Sequence, residues 1–335
     1  AGFNADGQLG DGGSGPRNAF VDVPLSHVQA VSGSDHSLFL LRDGSVWASG
    51  FNGYGQLGDG TLQSRSSPVL VFSEAAAVSA APYHSVFLKR DGTAWAAGKN
   101  LHGRLGDGTA QDRLSPVQVL DGVRAVAAGA SHTLFLRLDG VAYATGWNSH
   151  GELGDGTTET RLSPVRVMAD VIAIAAGSQH SVFLRRDGEA WAAGRNSAGQ
   201  LGDGTETSRE TPVKVLSAVR AISAGAQHTL FLRSDGSAWA AGYNLNGQLG
   251  DNTIESRSAP VQVLNDTIAV SAGERHSLFL KRDGFAWAVG DNVAGQLGDS
   301  SLVDVRSPKE IIHLRPTPTT TTTSTSTFQA LTTRT

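Results

Sequence analysis

The chain has 335 residues, a formal net charge of −4 and no cysteine. This charge balance excludes the basic surface that binds a nucleic-acid backbone, and the missing cysteines exclude disulfides, thiolate metal sites and cysteine nucleophiles. No apolar run approaches the roughly 18 residues of a membrane helix, so we expect neither a nucleic-acid nor a membrane partner through this chain.

One pattern recurs along almost the whole chain with a step of 48 residues. The segment Gly-x-Leu-Gly-Asp begins at Gly7, Gly55, Gly103, Gly151, Gly199, Gly247 and Gly295. A histidine followed by serine or threonine stands at His36, His84, His132, His180, His228 and His276. Asp-Gly, an aromatic residue four positions after that Asp, and proline recur with the same step. A fixed period of this length is the signature of a repeat architecture.

Residues 114–146 show what one repeat builds. The proline-led segment 116–119 predicts an edge strand, and the apolar run 123–128 predicts a second, buried strand. The β-rich segments 133–137 and 141–145 flank Asp-Gly, which predicts a hairpin with a type I′ turn and φ > 0 at both central residues. Four short strands in a unit of this length predict one blade of a β-propeller, whose faces neighbouring blades must cover.

The order of these segments resembles the repeat of the regulator of chromosome condensation. The matching motifs are Gly-x-Asn-x-x-Gly-Gln-Leu-Gly-Asp, Pro-Val, Val-x-x-Gly-x-x-His-Ser-Leu-x-Leu and Asp-Gly-x-x-Trp-x-x-Gly, over residues 2 to about 314. The resemblance implies an all-β, seven-bladed propeller of four-stranded blades. Relatives include nucleotide-exchange factors, ultraviolet photoreceptors, ubiquitin-ligase modules and bacterial inhibitor proteins, so the resemblance does not define one function.

The number of blades is irregular, because seven Gly-x-Leu-Gly-Asp segments accompany only six His and Asp-Gly hairpins. We expect six full blades plus one partial blade, with residues 20–23 as the outer strand of the partial one. This favours a fragment of a seven-bladed ring over six blades that close with an added N-terminal strand. The propeller is expected to span residues 1–314. The Thr-rich residues 315–335 are expected to be a disordered tail or linker, or else a glycosylated stalk.

The repeated polar residues are predicted to be structural. Histidines at the same register of different blades point into different sectors, so they need not converge on a metal ion. Each is expected to bridge backbone groups at the start of the second strand. The repeated Asp, followed six positions later by Arg as in Asp59 and Arg65 or Asp107 and Arg113, predicts an ion pair rather than a calcium site. We therefore predict no metal, no cofactor and no catalytic residue.

The candidate functional residues occupy the variable positions of the loop Gly-x-Asn-x-x-Gly. All copies of one loop emerge on the same face of a propeller, so their side chains are expected to form an arc. Aromatic residues and arginine are enriched at protein-binding hot spots. The predicted partner-binding residues are Phe51, Tyr54, Lys99, His102, Trp147, His150, Arg195 and Tyr243. The alternative is that these side chains only stack on the neighbouring blade.

The sequence thus predicts a non-catalytic interaction module that binds an unknown protein through one loop face. The alternative is a guanine-nucleotide exchange factor or another regulator of a small GTPase. The unbroken 48-residue step leaves no room for the β-wedge that the exchange factors of the family use. The photoreceptors carry Trp two positions before the repeated His, where this chain has Ser34, Pro82, Ala130, Ser178, Ala226 and Glu274. The absence of cysteine suits a cytoplasmic or nuclear location.

Overall fold

The computed structural model describes residues 1–313, which form strands and connecting loops. Over this range, 24 strands build six sheets of four strands each, and every pairing within a sheet is antiparallel. The strands of each sheet lie in chain order. The first strands of successive sheets contact one another, so they line the centre of a ring, and the fourth strands lie at its rim. The molecule is a β-propeller.

The first three blades occupy the N-terminal half of the ring. Blade 1 consists of β1 Val28–Gly33, β2 His36–Leu41, β3 Val46–Gly50 and β4 Arg65–Phe72. Blade 2 consists of β5 Ala75–Ala80, β6 His84–Lys89, β7 Ala94–Gly98 and β8 Arg113–Leu120. Blade 3 consists of β9 Val123–Ala128, β10 His132–Arg137, β11 Ala142–Gly146 and β12 Arg161–Met168.

The remaining three blades repeat the same plan. Blade 4 consists of β13 Val171–Ala176, β14 His180–Arg185, β15 Ala190–Gly194 and β16 Arg209–Leu216. Blade 5 consists of β17 Val219–Ala224, β18 His228–Arg233, β19 Ala238–Gly242 and β20 Arg257–Leu264. Blade 6 consists of β21 Thr267–Ala272, β22 His276–Lys281, β23 Phe285–Gly290 and β24 Val305–His313.

Apolar side chains of the second and third strands hold neighbouring blades together. Between blades 3 and 4, Leu134 and Leu136 pack against Phe183 of the next blade, together with Ala144 and Ile174. Equivalent clusters lie at the other four junctions between successive blades. A single blade buries little apolar surface by itself, so stacking of the blades removes their apolar faces from water. This requirement accounts for the strict repeat of Leu, Phe and Ala.

The hairpin turn differs from the one that the sequence predicts. Gly44 has a φ of 90°, but the residue before it, Asp43, has an ordinary negative φ. Gly44 N donates to Leu41 O at 3.0 Å, and Leu41 N donates to Ser45 O at 2.9 Å. This is a type I turn closed by a left-handed glycine, so the type I′ prediction is wrong. The Asp43 carboxylate accepts hydrogen bonds from the backbone nitrogen and the hydroxyl of Ser45, which stabilises this turn.

The prediction of six complete four-stranded blades is confirmed, whereas that of a seventh, partial blade is wrong. The segment before β1 forms no sheet and pairs only through an isolated bridge between Gly2 and Arg17. It nevertheless lies between the first and last blades. Ser37 of blade 1 donates its hydroxyl to Gln8 O at 2.6 Å, and Ser300 N of the last loop donates to Asn18 O at 2.9 Å.

Blade 6 is covered less well than the others on one face. Leu278 and Leu280 are half-buried, whereas their equivalents Leu134 and Leu136 are fully buried against the next blade. A cavity of about 40 Å³ lies beside these two side chains and Phe279. The apolar face of blade 6 that carries Leu278 and Leu280 is therefore only partly covered.

The predicted Thr-rich tail, residues 315–335, lies outside the described residues. Within the described range, no helix has the length and hydropathy needed to cross a membrane.

Candidate protein-binding face

Two connections of every blade emerge on the same side of the ring. They are the short turn between the first and second strands and the long loop between the third and fourth strands. The backbone joins them, since Phe51 N donates to Asp35 O at 3.0 Å and Lys99 N donates to Tyr83 O at 2.9 Å. We call this side the long-loop face. The Asp-Gly turns and the connections between blades lie on the opposite face.

A buried asparagine shapes each long loop. In blade 2, the Asn100 carboxamide oxygen accepts from Leu105 N at 3.0 Å, and its nitrogen donates to Asp107 at 2.9 Å. Asp107 also accepts from the backbone and hydroxyl of Thr109 and from Arg113. Burial raises the pKa of Asp107, but the hydrogen bonds from Thr109 and Arg113 outweigh it and hold the pKa below its ordinary value. Hydrogen bonds within the chain thus hold the loop in one conformation.

The predicted ion pairs between this aspartate and the arginine six residues later are confirmed. Arg65 lies 2.8 Å from Asp59, and Arg113 lies 2.7 Å from Asp107. The last copy differs, because Asp299 pairs with Lys309 at 2.7 Å. With Arg and amide hydrogens as its partners, the aspartate acts as a structural clamp. Across the part of the chain that the structure describes, no group of three or more His, Asp or Glu side chains is placed to hold a metal ion.

The six repeated histidines are buried at the blade junctions. His132 Nε2 lies 2.9 Å from the hydroxyl of Ser181 in the next blade, and His84 Nε2 lies 2.7 Å from that of Thr133. The same contact joins His36 to Ser85, His180 to Thr229 and His228 to Ser277. The partner is a side-chain hydroxyl, so the prediction that these histidines bridge backbone groups is wrong. His276 Nε2 has no hydrogen-bond partner among residues 1–313.

The first part of the predicted arc is an aromatic and cationic cluster on blades 1 and 2. Phe51 and Tyr54 contact edge to face, with ring centroids 6.0 Å apart. Tyr54 contacts Tyr83 in the same way at 5.8 Å. Lys99 Nζ lies 4.3 Å from the centroid of Tyr54 and 5.0 Å from that of Tyr83. The predicted Phe51, Tyr54 and Lys99 are therefore brought together across a blade boundary.

The next part of the arc crosses from blade 2 to blade 3. His102 and Trp147 lie edge to face with centroids 4.3 Å apart. Burial, followed by the positive charges of Arg104 and Lys99, holds the pKa of His102 below its ordinary value. His150 lies on the same loop as Trp147, and its Nδ1 is 3.0 Å from the carboxylate of Glu152. Because Lys99 and His102 lie on the same long loop, between β7 and β8, this part of the arc adjoins the Lys99 cluster.

The last two predicted residues lie on blades 4 and 5. Arg195 donates to Gln179 at 2.6 Å and to Ser197 at 2.9 Å, which fixes its guanidinium. Tyr243 N donates to Gln227 O at 2.8 Å, the same backbone contact that the other copies make. All eight predicted residues are half-buried on the long-loop face. Their role in partner binding stays a prediction, and the contacts of Tyr54 with Lys99 also fit the stacking alternative.

Two residues that the sequence did not predict, Tyr83 and Arg104, extend the aromatic cluster. Tyr83 stands one position before a repeated histidine and completes the aromatic cluster. Arg104, only 3% exposed, lies 5.5 Å from the Tyr83 ring and donates to Ala130 O at 2.8 Å. The signal for Tyr83 was available, because that position varies among the copies as Asp35, Tyr83, Ser131, Gln179, Gln227 and Arg275. Because the residue at this position differs from blade to blade while the blades fold alike, folding does not require a particular side chain there.

The long-loop face also contains an open cavity of about 390 Å³. It lies where the N-terminal segment meets blades 1 and 2. Phe3, Asp6 and Gln8 line it from the N-terminal segment. Blades 1 and 2 contribute Asp35, Phe51, Tyr54 and Tyr83. The aromatic cluster is therefore one wall of a concave site.

Four-stranded blades in one 48-residue register, with a variable loop face, define a protein of the repeat β-propeller class. The family model described as the RCC1-like domain matches residues 1–231, and models of the regulator of chromosome condensation (RCC1) repeat match residues 219–248, 268–296 and 235–280. The chain therefore belongs to the RCC1-like domain family. No curated protein sequence matches it significantly.

Solved structures share the fold at low sequence identity. Human WBSCR16 is 22% identical, with a TM-score of 0.84 over 93% of this chain and 92% of that one. Yeast RCC1 (Prp20), solved bound to Kap60, is 23% identical, with a TM-score of 0.80 over 93% of this chain and 82% of that one. Prp20p from Saccharomyces cerevisiae, described with its binding properties to Gsp1p and histones, is 23% identical, with a TM-score of 0.79 and coverage of 93% and 84%. These likenesses show the fold.

Proposed function

We propose that this chain is a non-catalytic interaction module that binds a protein partner through its long-loop face. One observation carries the proposal: half-buried aromatic and cationic side chains on this face contact one another across two blade boundaries. Tyr54 contacts Lys99, and His102 contacts Trp147, each pair joining two blades. A loop needs neither large aromatic rings nor arginine to fold, and these are the residue types that supply most of the binding energy at protein interfaces.

The loops that carry these side chains are rigid, which favours binding. The Asn100–Asp107 clamp fixes the backbone beside His102, and hydrogen bonds from Arg195 to Gln179 and Ser197 fix that guanidinium. A preorganised surface loses less conformational entropy when a partner docks. Half-buried rings also present apolar area next to polar groups, as the rim of an interface does.

A second candidate function is regulation of a small GTPase. Its support is the family, which includes exchange factors, and the fold shared with Prp20p, whose structure was described with binding to Gsp1p and histones. The uniform 48-residue step, without an inserted wedge, argues against exchange by the route that those relatives use. Binding a GTPase as a partner remains compatible with the first proposal, so exchange activity separates the two.

The proposal is tested by comparing three immobilised proteins. They are the wild type, a Trp147→Ala/Tyr243→Ala double variant, and a Leu138→Ala control. Leu138 is 70% exposed in a hairpin turn on the opposite face, so its loss leaves the long-loop face intact. Partners from the native source are identified by quantitative mass spectrometry and then measured as purified proteins. We expect the double variant to weaken binding by about thirtyfold or more, as loss of a hot spot of roughly 2 kcal/mol does.

Folding and exchange are checked on the same samples. Circular dichroism and the thermal midpoint must show that the double variant keeps the propeller. Release of a fluorescent GDP analogue from purified small GTPases is followed with and without the chain. Faster release supports the second candidate. Equal binding of every partner by all three proteins, or loss only on unfolding, overturns the proposed binding face.

A further inference from the structure

The cavity of about 390 Å³ on the long-loop face differs from the rest of the arc in its charge. Its aromatic lining is Phe3, Phe51, Tyr54 and Tyr83, and its charged lining is Asp6 and Asp35. Lys99 and Arg104 lie over the Tyr54 and Tyr83 rings but do not line the cavity. The concave surface thus combines aromatic rings with two carboxylates.

The aromatic walls of the cavity are rings that contact one another edge to face. Phe51 and Tyr54 meet at 79°, and Tyr54 and Tyr83 meet at 84°, so successive rings stand at right angles. A ring face carries negative electrostatic potential and attracts a positive group within about 6 Å. Tyr54 and Tyr83 already do so inside this chain, with the Lys99 ammonium 4.3 Å and 5.0 Å from their centroids. Lys99 and Arg104 do not line the cavity, so a cation that enters it meets the lining surfaces of Phe3, Phe51, Tyr54 and Tyr83 beside the two carboxylates.

The two carboxylates occur together at one place in the ring only. The positions equivalent to Asp6 in the later repeats hold Tyr54, His102, His150, Ala198, Asn246 and Ala294. Those equivalent to Asp35 hold Tyr83, Ser131, Gln179, Gln227 and Arg275. The blades fold with neutral or basic residues at these positions, so folding does not require the acids. The loop clamp of the N-terminal segment uses a different aspartate, Asp11, which pairs with Arg17.

We propose that this cavity binds the guanidinium group of an arginine side chain on the partner polypeptide. This inference rests on the proposed function and adds the chemistry of the partner. A guanidinium is planar, stacks on aromatic rings and donates paired hydrogen bonds to a carboxylate, so it matches Asp6 together with the walls of Phe51 and Tyr83 better than an ammonium does. The volume exceeds that of one side chain and leaves room for the flanking backbone of a peptide segment.

The test uses small probes of defined charge on the full chain. Ligand-observed NMR titrations compare N-acetyl-arginine amide with N-acetyl-citrulline amide, a neutral molecule of nearly the same shape. We expect the arginine probe to bind the wild type at least fivefold more tightly. Asp6→Asn should weaken the arginine probe by about fivefold to tenfold, because it removes the negative charge and one of the two acceptor oxygens that a guanidinium pairs with. Tyr83→Gln should weaken it about twofold to fivefold by removing one ring.

Both variants place residues that the repeat already accepts at the equivalent positions, Asn246 and Gln179. The matched control is Asp139→Asn on the opposite face, where the amide oxygen can still accept from Val141 N. Equal affinity for the arginine and citrulline probes, or unchanged affinity in Asp6→Asn, overturns the proposal. Tighter binding of a trimethyllysine probe than of arginine also overturns it and replaces the guanidinium by a quaternary ammonium.

The outcomes separate this inference from the proposed function. If a partner is lost with Trp147→Ala/Tyr243→Ala but the wild type does not discriminate arginine from citrulline, the binding face stands and the arginine site does not. If the probes are discriminated through Asp6 and Tyr83 but no partner depends on Trp147, the site stands and the wider face does not.

Discussion

The repeated histidine acts as a hydrogen-bonded link between blades, and its protonation state follows from its partners. The Thr133 hydroxyl donates its only hydrogen to Arg104 O at 2.6 Å. It must therefore accept from His84 Nε2, which makes Nε2 the protonated nitrogen of a neutral imidazole. His84 Nδ1 is buried without a hydrogen-bond partner. In this tautomer Nδ1 carries no hydrogen, so no donor is left unpaired. A histidine at this position thus links two blades while uncharged.

The ring offers a matched pair for measuring this link. His132 Nε2 bonds to Ser181, whereas His276 is equally buried and its Nε2 has no partner. We expect His132→Ala to lower the free energy of unfolding by about 1 kcal/mol more than His276→Ala, the net value of one hydrogen bond. Urea denaturation of both variants measures the difference. Ser181→Ala removes this bond together with the one that its hydroxyl donates to Glu152 O, so it should cost more than the difference between the histidine variants. Equal losses at His132 and His276 would show that the link adds nothing.

At the scale of elements, the long loop is stabilised from its buried end. Asp107 is only 6% exposed and accepts from a backbone amide, a hydroxyl, an amide side chain and Arg113, whose own side chain is 33% exposed. Removing the acceptor leaves several buried donors unpaired, whereas removing the arginine breaks one partly solvated ion pair. Asp107 is therefore expected to contribute more to the stability of the loop than Arg113, its partner in the salt bridge.

We expect Asp107→Ala to lower the free energy of unfolding by about 2–4 kcal/mol and Arg113→Ala by less than about 1 kcal/mol. Chemical denaturation gives both values, and hydrogen exchange of the loop between β7 and β8 shows whether the damage is local. Asp107→Asn is the control, because it keeps the shape and one acceptor oxygen. A larger loss of stability for the arginine variant would mean that the ion pair holds the loop, and not the hydrogen bonds that Asp107 accepts from Asn100 and Thr109.

The strands of a blade could be predicted from sequence because each repeats its own pattern of side chains. The run at 123–128 and the segment 133–137 match β9 and β10, and the proline-led segment 116–119 lies within β8, which is the fourth strand of the preceding blade. The turn type could not be predicted, because Asp-Gly suits both a type I′ turn and a type I turn with a left-handed glycine. Tyr83 was missed because it stands next to a repeated histidine rather than in the variable loop.

At the scale of the whole molecule, the repeat explains why one face of blade 6 stays partly open. Each blade is covered by the next one, so Leu134 and Leu136 lie against Phe183. Leu278 and Leu280 have the same sequence positions but remain half-buried. The N-terminal segment reaches blade 6 at its long loop, where Ser300 N donates to Asn18 O, and none of the residues that line the cavity beside Leu278 and Leu280 comes from this segment. A count of motifs predicted the six complete blades, but where the N-terminal segment packs depends on contacts between distant parts of the chain.

The six buried histidines give the whole propeller a common sensitivity to acid. Burial lowers the pKa of His36, His132 and His228 to about 3, and that of His180 and His276 to about 4. Burial also holds the pKa of His84 well below its ordinary value. In the unfolded chain these imidazoles titrate near pH 6.5. Below that pH the unfolded state therefore binds more protons than the folded state, which shifts the equilibrium toward unfolding.

We therefore expect stability to be full above about pH 6.5 and to fall as the pH drops toward 4, by up to about 1.4 kcal/mol per pH unit for each such histidine. The urea midpoint measured between pH 7 and pH 4.5 checks this. The long-loop aspartates, such as Asp107, change the stability only near and below the ordinary Asp pKa of about 3.9, so the histidines dominate over this range. His132→Gln keeps a polar side chain without a titrating group, so it should reduce the slope by one histidine's share. A midpoint that is flat over this range would show that the junction imidazoles accept protons without opening the blades.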